Sequence, residues 1–269
     1  MSKRLIVLLA AAVAPACAAL AACSRPIQVP VAPSGVAVSV DDDGQVRGIY
    51  PDLMRSAGHK AGCEFQFTVV PRARQVAMFE AGKADLLLPA SATAPRDRIA
   101  TFLPMISHRT MLISVAGKQA PLTSLREVLE RRNLRMAVVR GFDYGDQYAT
   151  LVKELDQQGR LFREVDVRAV ARLLQAGSAD VTIMGPTLIA NAIEHEPLLK
   201  GLLEKLRFDA VPEMPWHPSG IYISRSALTP ADQREVRELL EKIARSGAVM
   251  EAYQRRFHPE LLNNSVRSR

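Results

Sequence analysis

Beyond its first two dozen residues, the chain alternates short apolar blocks of strand character with longer stretches whose apolar residues recur every three or four positions. The start is different. Lys3 and Arg4 precede an Ala-rich apolar stretch over residues 5–22, which contains Pro15 and leads through small residues to Cys23. A positive head, an apolar body and small residues before the end describe an export signal over residues 1–22; Pro15 and the small residues argue against a retained membrane anchor. Residues 25–34, rich in Pro and Val, read as a short tether. The turn signal Asp41-Asp42-Asp43-Gly44 separates strands over 36–40 and 46–49. A helix is expected over 51–61, with Leu53, Met54 and Ala57 on one face, and a strand over 65–70. A helix over 74–80 then stops at Gly82, before a buried strand over 85–88.

That last step occurs twice. Phe79-Glu80-Ala81-Gly82-Lys83-Ala84-Asp85-Leu86-Leu87-Leu88 is echoed by Leu174-Gln175-Ala176-Gly177-Ser178-Ala179-Asp180-Val181-Thr182-Ile183. Both copies say helix, glycine in the left-handed region, small residue, Asp, apolar strand, and two such units far apart predict two similar α/β lobes. The strand-entry Asp residues read as turn caps. The second half continues the alternation, with strands near 134–139, 162–165, 181–184 and 220–224. Helices fall near 147–157, 167–175, 187–194, 229–246 and 248–257. Thr229 is placed as N-cap and Pro230 as the first helical residue.

Composition narrows the function classes. Hydrophobic residues at 48% and charged residues at 23% are globular values. The net charge is +7, falling to +5 (33 basic, 28 acidic) once Lys3 and Arg4 are removed, and no Lys/Arg run exceeds two residues. This is a solubilising charge and not a nucleic-acid footprint. With aromatics at 5%, a ring-lined strand of binding platforms for single-stranded nucleic acid is not expected.

Leu20-Ala21-Ala22-Cys23 resembles the lipobox of bacterial lipoproteins, in which the cysteine becomes the first residue and is acylated. That reading makes Cys23 the lipidation site and anchors the protein to a membrane face by several acyl chains. Ordinary cleavage after Ala19-Leu20-Ala21 is the competing reading. Cys17 leaves with the signal, so lipidation of Cys23 would leave Cys63 alone and the chain without an intramolecular disulfide. Cys63 then reads as a buried inert thiol rather than a nucleophile.

Further motifs point to one family. GQVRGIYPDL at 44–53, the helix–Gly–Asp–strand step at 81–88, Thr93-Ala94-Pro95-Arg96 followed by Phe102-Leu103-Pro104, SGIYIS at 219–224, and residues 247–257 occur in sequence. In order and spacing they resemble the bacterial extracellular solute-binding proteins that serve polar-amino-acid ABC transporters. The resemblance implies an α/β protein of two lobes joined by hinge strands, with a ligand cleft between them that closes by hinge motion. The chain is expected to cross near 111–118 and return near 216–224. This gives residues 23–34 as lipidated N-terminus and tether, 35–117 as the first part of lobe one, 118–215 as lobe two, 216–262 as the return to lobe one, and 263–269 as a polar, disordered tail.

The resemblance also nominates site residues. Arg96 is expected to hold a ligand carboxylate, for which a guanidinium offers a planar fork that stays charged; a surface ion pair with Asp97 or another acid is the alternative. Thr93, three residues earlier, and Ser91, just past the 85–88 strand, would face the same anion. Arg74 is expected to face the cleft because some branches of the family carry a cleft-facing arginine at this helix start, where a cation is otherwise unfavourable to the helix dipole; Arg72 reads as exposed. Three departures stand out. Gly185 occupies the position where amino-acid binders carry an acid for the ligand ammonium. Asp143 replaces a small hydroxyl residue in Gly141-Phe142-Asp143-Tyr144, either to hold a cation or to cap the next helix, with Tyr144 and Phe142 as ring wall or core. The usual aromatic platform is replaced by Ala32-Pro33-Ser34-Gly35. An ammonium buried without its carboxylate costs on the order of 2–5 kcal/mol. The expected ligand is therefore a small polar carboxylate-bearing solute, amino-acid-like without being assignable to an ordinary α-amino acid.

No cofactor or metal is expected: His59, His108, His195, His217 and His258 are scattered without ligand spacing. The expected function is a monomeric, lipid-anchored periplasmic receptor delivering its solute to an ABC permease. A ligand-sensing protein without transport is one alternative. A periplasmic dehydratase on the same fold is another, with Asp143 and Glu213 as candidate acids.

Overall fold

The computed structural model describes residues 22–41 and 43–269; the expected export signal lies outside the described residues but for Ala22. One lobe contains β1 (Ile27–Val31), β2 (Ser39–Val40), β3 (Val46–Arg47), α1 (Ile49–Ala61), β4 (Phe65–Val69), α2 (Arg72–Glu80), β5 (Leu86–Ser91), α3 (Ala94–Ile99) and β6 (Ala100–His108). The chain crosses at residues 109–110 into a second lobe. There it forms β7 (Met111–Val115), α4 (Leu125–Glu130), β8 (Met136–Val139), α5 (Asp146–Gln157), β9 (Leu161–Glu164), α6 (Val167–Ala176), β10 (Val181–Met184), α7 (Pro186–Glu194) and β11 (Leu206–Asp209). It returns through β12 (His217–Ser224), α8 (Pro230–Arg245), α9 (Ala248–Gln254), α10 (Pro259–Asn263) and β13 (Val266–Ser268).

Lobe one is discontinuous. The parallel pair β1–β4 lies beside an antiparallel sheet of order β13-β6-β12-β5, with α1, α8 and α9 packed over a shared core. Lobe two is a five-stranded mixed sheet of order β11-β7-β10-β8-β9, with one core on each face. Its strands β8, β9 and β10 run parallel, as strand–helix–strand alternation requires. Because β7 sits inside this sheet, paired to both β10 and β11, lobe two begins at residue 111 and not at 118.

The internal repeat is a shared joint. Gly82 and Gly177 both take positive φ, +68° and +71°, and let the helix turn back into a strand. Asp85 then accepts the backbone N–H of Gln28 (2.7 Å) at the start of β1, and Asp180 accepts that of Arg135 (2.9 Å) beside β8. Each Asp thus ties its strand entry to the neighbouring strand; the expected turn-capping role extends to sheet assembly.

The N-terminus departs most from expectation. Residues 25–34 are no tether: β1 is a core strand with Ile27, Val29 and Val31 buried. Ahead of it, Cys23 and Cys63 form a disulfide with Cα atoms 5.0 Å apart, and both residues are buried. The Ser24 N–H and hydroxyl donate to the two oxygens of buried Asp232 (2.8 and 2.7 Å). Arg25 places its fork on Asp85 (2.7 and 2.8 Å). This corrects two linked expectations. Cys63 is not alone, and the Cys23 sulfur is not available for a lipid thioether, because one sulfur cannot form both bonds. An acylated Cys23 would also have to leave the core that now encloses it.

The C-terminal tail is likewise structured. β13 pairs antiparallel with β6, Val266 opposite His108, and the Arg267 guanidinium lies 4.5 Å from the Trp216 ring centroid. Residues 263–269 therefore add an edge strand beside the hinge, correcting the expectation of disorder. No helix among the described residues is long and apolar enough to cross a membrane.

Candidate functional site

Between the lobes lies a cavity of about 70 Å³. Lobe one supplies Ser34, Ala37, Arg72, Pro89, Ser91, Ile106 and His108 to its wall; lobe two supplies Phe142, Asp143, Tyr144, Gly185 and Leu188. The lobes are in contact around it. Gly141 has φ +85°, and a Cβ built on it would lie 2.9 Å from the backbone N and Cα of Ala73. The β8–α5 loop of lobe two thus rests directly on the first turn of α2 in lobe one.

α2 presents Arg72 to this cavity and Arg74 to solvent, the reverse of the expectation. Two residues on a helix are separated by about 200°, so only one can face inward. The buried face of this helix runs through Arg72, Gln75 and Phe79, spaced by three and four, so Arg72 shares it and Arg74 does not. Arg72 is buried and its placement is built. Gln75 donates from Nε2 to the carbonyls of Pro30 and Leu88, both 2.9 Å away. This turns its Oε1 to accept from Arg72 Nη1 at 2.9 Å. Arg72 Nε has no partner. Burial, and next the Arg96 charge, lower the Arg72 pKa to about 10, so the group remains a cation at neutral pH.

Arg96 is buried at the base of α3, as a carboxylate receptor would be, yet it does not reach the cavity wall. Asp143 from the opposite lobe stands there: its Oδ2 is 3.7 Å from Arg96 Nη2, and its Oδ1 accepts the Gly145 N–H at 2.9 Å. Asp143 therefore faces a cation, but the protein's own, and its other oxygen closes a tight turn ahead of α5 without capping that helix. Of the ion-pair alternatives for Arg96, the acid that faces it is Asp143 and not Asp97, which accepts the Tyr222 hydroxyl at 2.7 Å; the pair is buried on the Arg96 side and not a surface one.

Of the remaining candidates, Ser91 and Tyr144 line the cavity. Ser91 Oγ is 3.4 Å from His108 Nε2, a long contact that leaves its hydroxyl available. Tyr144 is both wall and core, its ring 5.0 Å edge-on from Tyr148. Thr93 lies behind the wall; its N–H donates to the Tyr222 hydroxyl (2.9 Å), and its own buried hydroxyl has no partner. Sequence reasoning missed Arg72, Gln75 and His108. The Arg72/Gln75 spacing of three was a usable signal, because it puts both on one helical face.

His108 and His217 meet across β6 and β12 with ring centroids 4.0 Å apart, and Tyr144 faces both edge-on. Burial, and then the neighbouring ring of His217, hold the His108 pKa well below 6.5; burial also lowers that of His217. The unfolded chain takes up protons near pH 6.5 while the folded chain resists them, so stability is lost as pH falls below that value. The thermal midpoint should drop between pH 7 and pH 5, and His108→Asn should flatten the drop. An unchanged slope in the variant would remove His108 from this account.

Among the described residues no cluster of His, Cys, Asp and Glu is arranged to hold a metal ion. The family model for bacterial extracellular solute-binding proteins, family 3, matches residues 28–258. No curated relative of matching sequence was found. Solved structures are similar in fold. An ancestral arginine-binding protein bound to arginine superposes with a TM-score of 0.68 at 15% identity, over 87% of this chain and 98% of that one. A histidine kinase sensor domain with similarity to periplasmic binding proteins gives 0.67 at 17%, over 86% and 95%. An ancestral amino-acid-binding protein described as a precursor of cyclohexadienyl dehydratase gives 0.65 at 15%, over 87% and 95%. Likeness at these identities establishes the fold and leaves function to the site. With the family pattern running from β1 to just past the end of α9 and a cleft where the two lobes meet, this chain belongs to the bacterial extracellular solute-binding proteins, family 3.

Proposed function

We propose that this protein is a periplasmic receptor that closes its lobes on a small polar carboxylate-bearing solute of about amino-acid size and passes it to the permease of an ABC transporter. The observation that carries this reading is the inter-lobe cavity with a buried, incompletely partnered guanidinium in its wall. A volume of about 70 Å³ offers room for roughly five water-sized groups. A buried cation with unmet donors favours an anion there. The buried disulfide suits an oxidising compartment, in keeping with a family of extracellular proteins. A structure of this kind needs no lipid on Cys23.

The two acids considered for a dehydratase are otherwise engaged. Asp143 is bound to Arg96 and the Gly145 N–H, while Glu213 accepts the Leu125 N–H (3.0 Å) at the start of α4 and does not line the cavity. This favours binding over catalysis. The test is thermal denaturation of the exported, oxidised protein against a panel of amino, hydroxy, oxo and dicarboxylic acids. A ligand of the folded state at one hundred times its Kd adds about 2.7 kcal/mol, and one chemical class should do so. No response across the panel would contradict the reading. Ligand binding with solute uptake unchanged in a strain lacking the protein would favour a sensor, the similar histidine kinase sensor domain being its precedent in fold.

A further inference from the structure

The cavity's charges differ from those a zwitterion needs. Its wall carries one acid, Asp143, among the described residues, and that acid already faces Arg96 across the lobe boundary (3.7 Å) and accepts the Gly145 N–H. Its carboxylate stands beside the guanidinium that would otherwise hold a ligand carboxylate, so the lobes close on an ion pair supplied by the chain itself. One cation remains. Arg72 lines the cavity, is 8% exposed, is aimed by Gln75, and keeps a buried Nε with no partner. Ser91 and His108 offer neutral polar groups nearby, and further hydroxyls come from Ser34, Thr187, Ser219 and Ser265. Pro89, Ile106, Phe142 and Leu188 add apolar wall, so among the described residues the lining carries no fixed charge beyond Arg72 and Asp143. Gly185 contributes no charge where an ammonium would need one.

We infer that the cleft is matched to a small monocarboxylate without an ammonium group, received by Arg72 and not by Arg96. The inference rests on the proposed reading of the cleft as a solute site. A monoanion brings Arg72, Arg96 and Asp143 to neutrality in the closed cleft. A zwitterion leaves the surplus positive charge in place and buries an ammonium in a cavity already lined by the Arg72 cation, with no free carboxylate to receive it. A dianion would find only one unpaired receptor. The ligand body is short, given the volume, and carries a hydroxyl or oxo group able to meet Ser91 or His108.

The experiment is calorimetric titration of the exported, oxidised protein with matched 2-hydroxy, 2-oxo and 2-amino acids of three and four carbons, and with malonate and succinate. At least one hydroxy or oxo acid is expected to bind at least about tenfold more tightly than its amino partner, a difference of about 1.4 kcal/mol. Asp143→Asn releases Arg96 and should improve malonate or succinate binding by a similar factor. This variant removes charge without changing shape, and circular dichroism checks that it folds. Amino acids binding as tightly as their hydroxy or oxo partners would overturn the inference while leaving the receptor reading in place, as would a dicarboxylate that outbinds the monocarboxylates in the wild type. Silence from these acids together with silence across the wider thermal panel would overturn both.

Discussion

Replacing Cys63 with serine, or reducing the Cys23–Cys63 bond, is expected to lower the stability of the exported protein by about 4 kcal/mol, the chain-entropy value for a loop closed across 40 residues. For a chain of this size that corresponds to a thermal midpoint lower by roughly 8–15 °C. The loop joined by the disulfide contains β1, the β2–β3 hairpin and α1, so the bond ties the entry of the fold to the start of β4. The damage extends past the loop itself. Cys23 positions Ser24 on Asp232 at the start of α8 and Arg25 on Asp85 at the start of β5, linking three segments distant in sequence. The Ser24 hydrogen bonds hold the Asp232 carboxyl below its usual range. If the N-terminus frayed, that buried carboxylate would lose both Ser24 donors and keep the single one from the Thr229 hydroxyl. Calorimetry with and without reductant measures the effect. Intact mass measures its premise: the exported protein should be two hydrogen atoms lighter than the reduced chain and carry no acyl groups. A diacylglycerol mass on Cys23 with a free Cys63 thiol would contradict the account.

Gly141→Val is expected to abolish tight ligand binding while leaving both lobes folded. The added carbon would meet the Ala73 backbone at 2.9 Å, a distance neither partner can relieve by a side-chain rotation, and the position needs φ +85°. The conformational strain alone costs about 1–2 kcal/mol, absorbed locally in a loop. Closure bears the greater effect, because the clash lies between the lobes and is relieved by opening them. Affinity for a ligand found with the wild type should fall at least about tenfold, equivalent to 1.4 kcal/mol of differential stabilisation of the open form. Small-angle scattering should show a larger radius for the variant. Equal affinity would mean that this contact plays no part in the binding-competent form.

Much of the fold was legible because its signals are local. The helix–Gly–Asp–strand step recurs with the same glycine conformation and the same strand-tying Asp in both lobes. The strand Val181–Met184 and the Thr229 N-cap, whose hydroxyl accepts the Asp232 N–H, follow directly from periodicity and capping chemistry. What was lost was non-local. No pattern within residues 20–26 shows that Cys23 meets Cys63, since that depends on β1 lying beside β4. Residues 266–268 are too few to display a period and become a strand only because β6 offers an edge. At the site, the loop residues Asp143 and Tyr144 and the strand-end Ser91 were legible from family spacing, but the partner of Asp143 was not. The choice between Arg72 and Arg74 turned on which face of α2 is buried, and that face runs through Arg72, Gln75 and Phe79, a pattern that starting the helix at residue 74 leaves out.

The central claim is that Arg72, in a cleft that closes between the lobes, receives the carboxylate of a small solute. The most direct measurement is the thermal midpoint of the wild type and of Arg72→Gln, each alone and with the best-binding small carboxylate at saturation. The wild type should gain about 2.7 kcal/mol at one hundred times Kd, and Arg72→Gln, folded by circular dichroism, should gain nothing measurable. An equal gain in both proteins would contradict the claim.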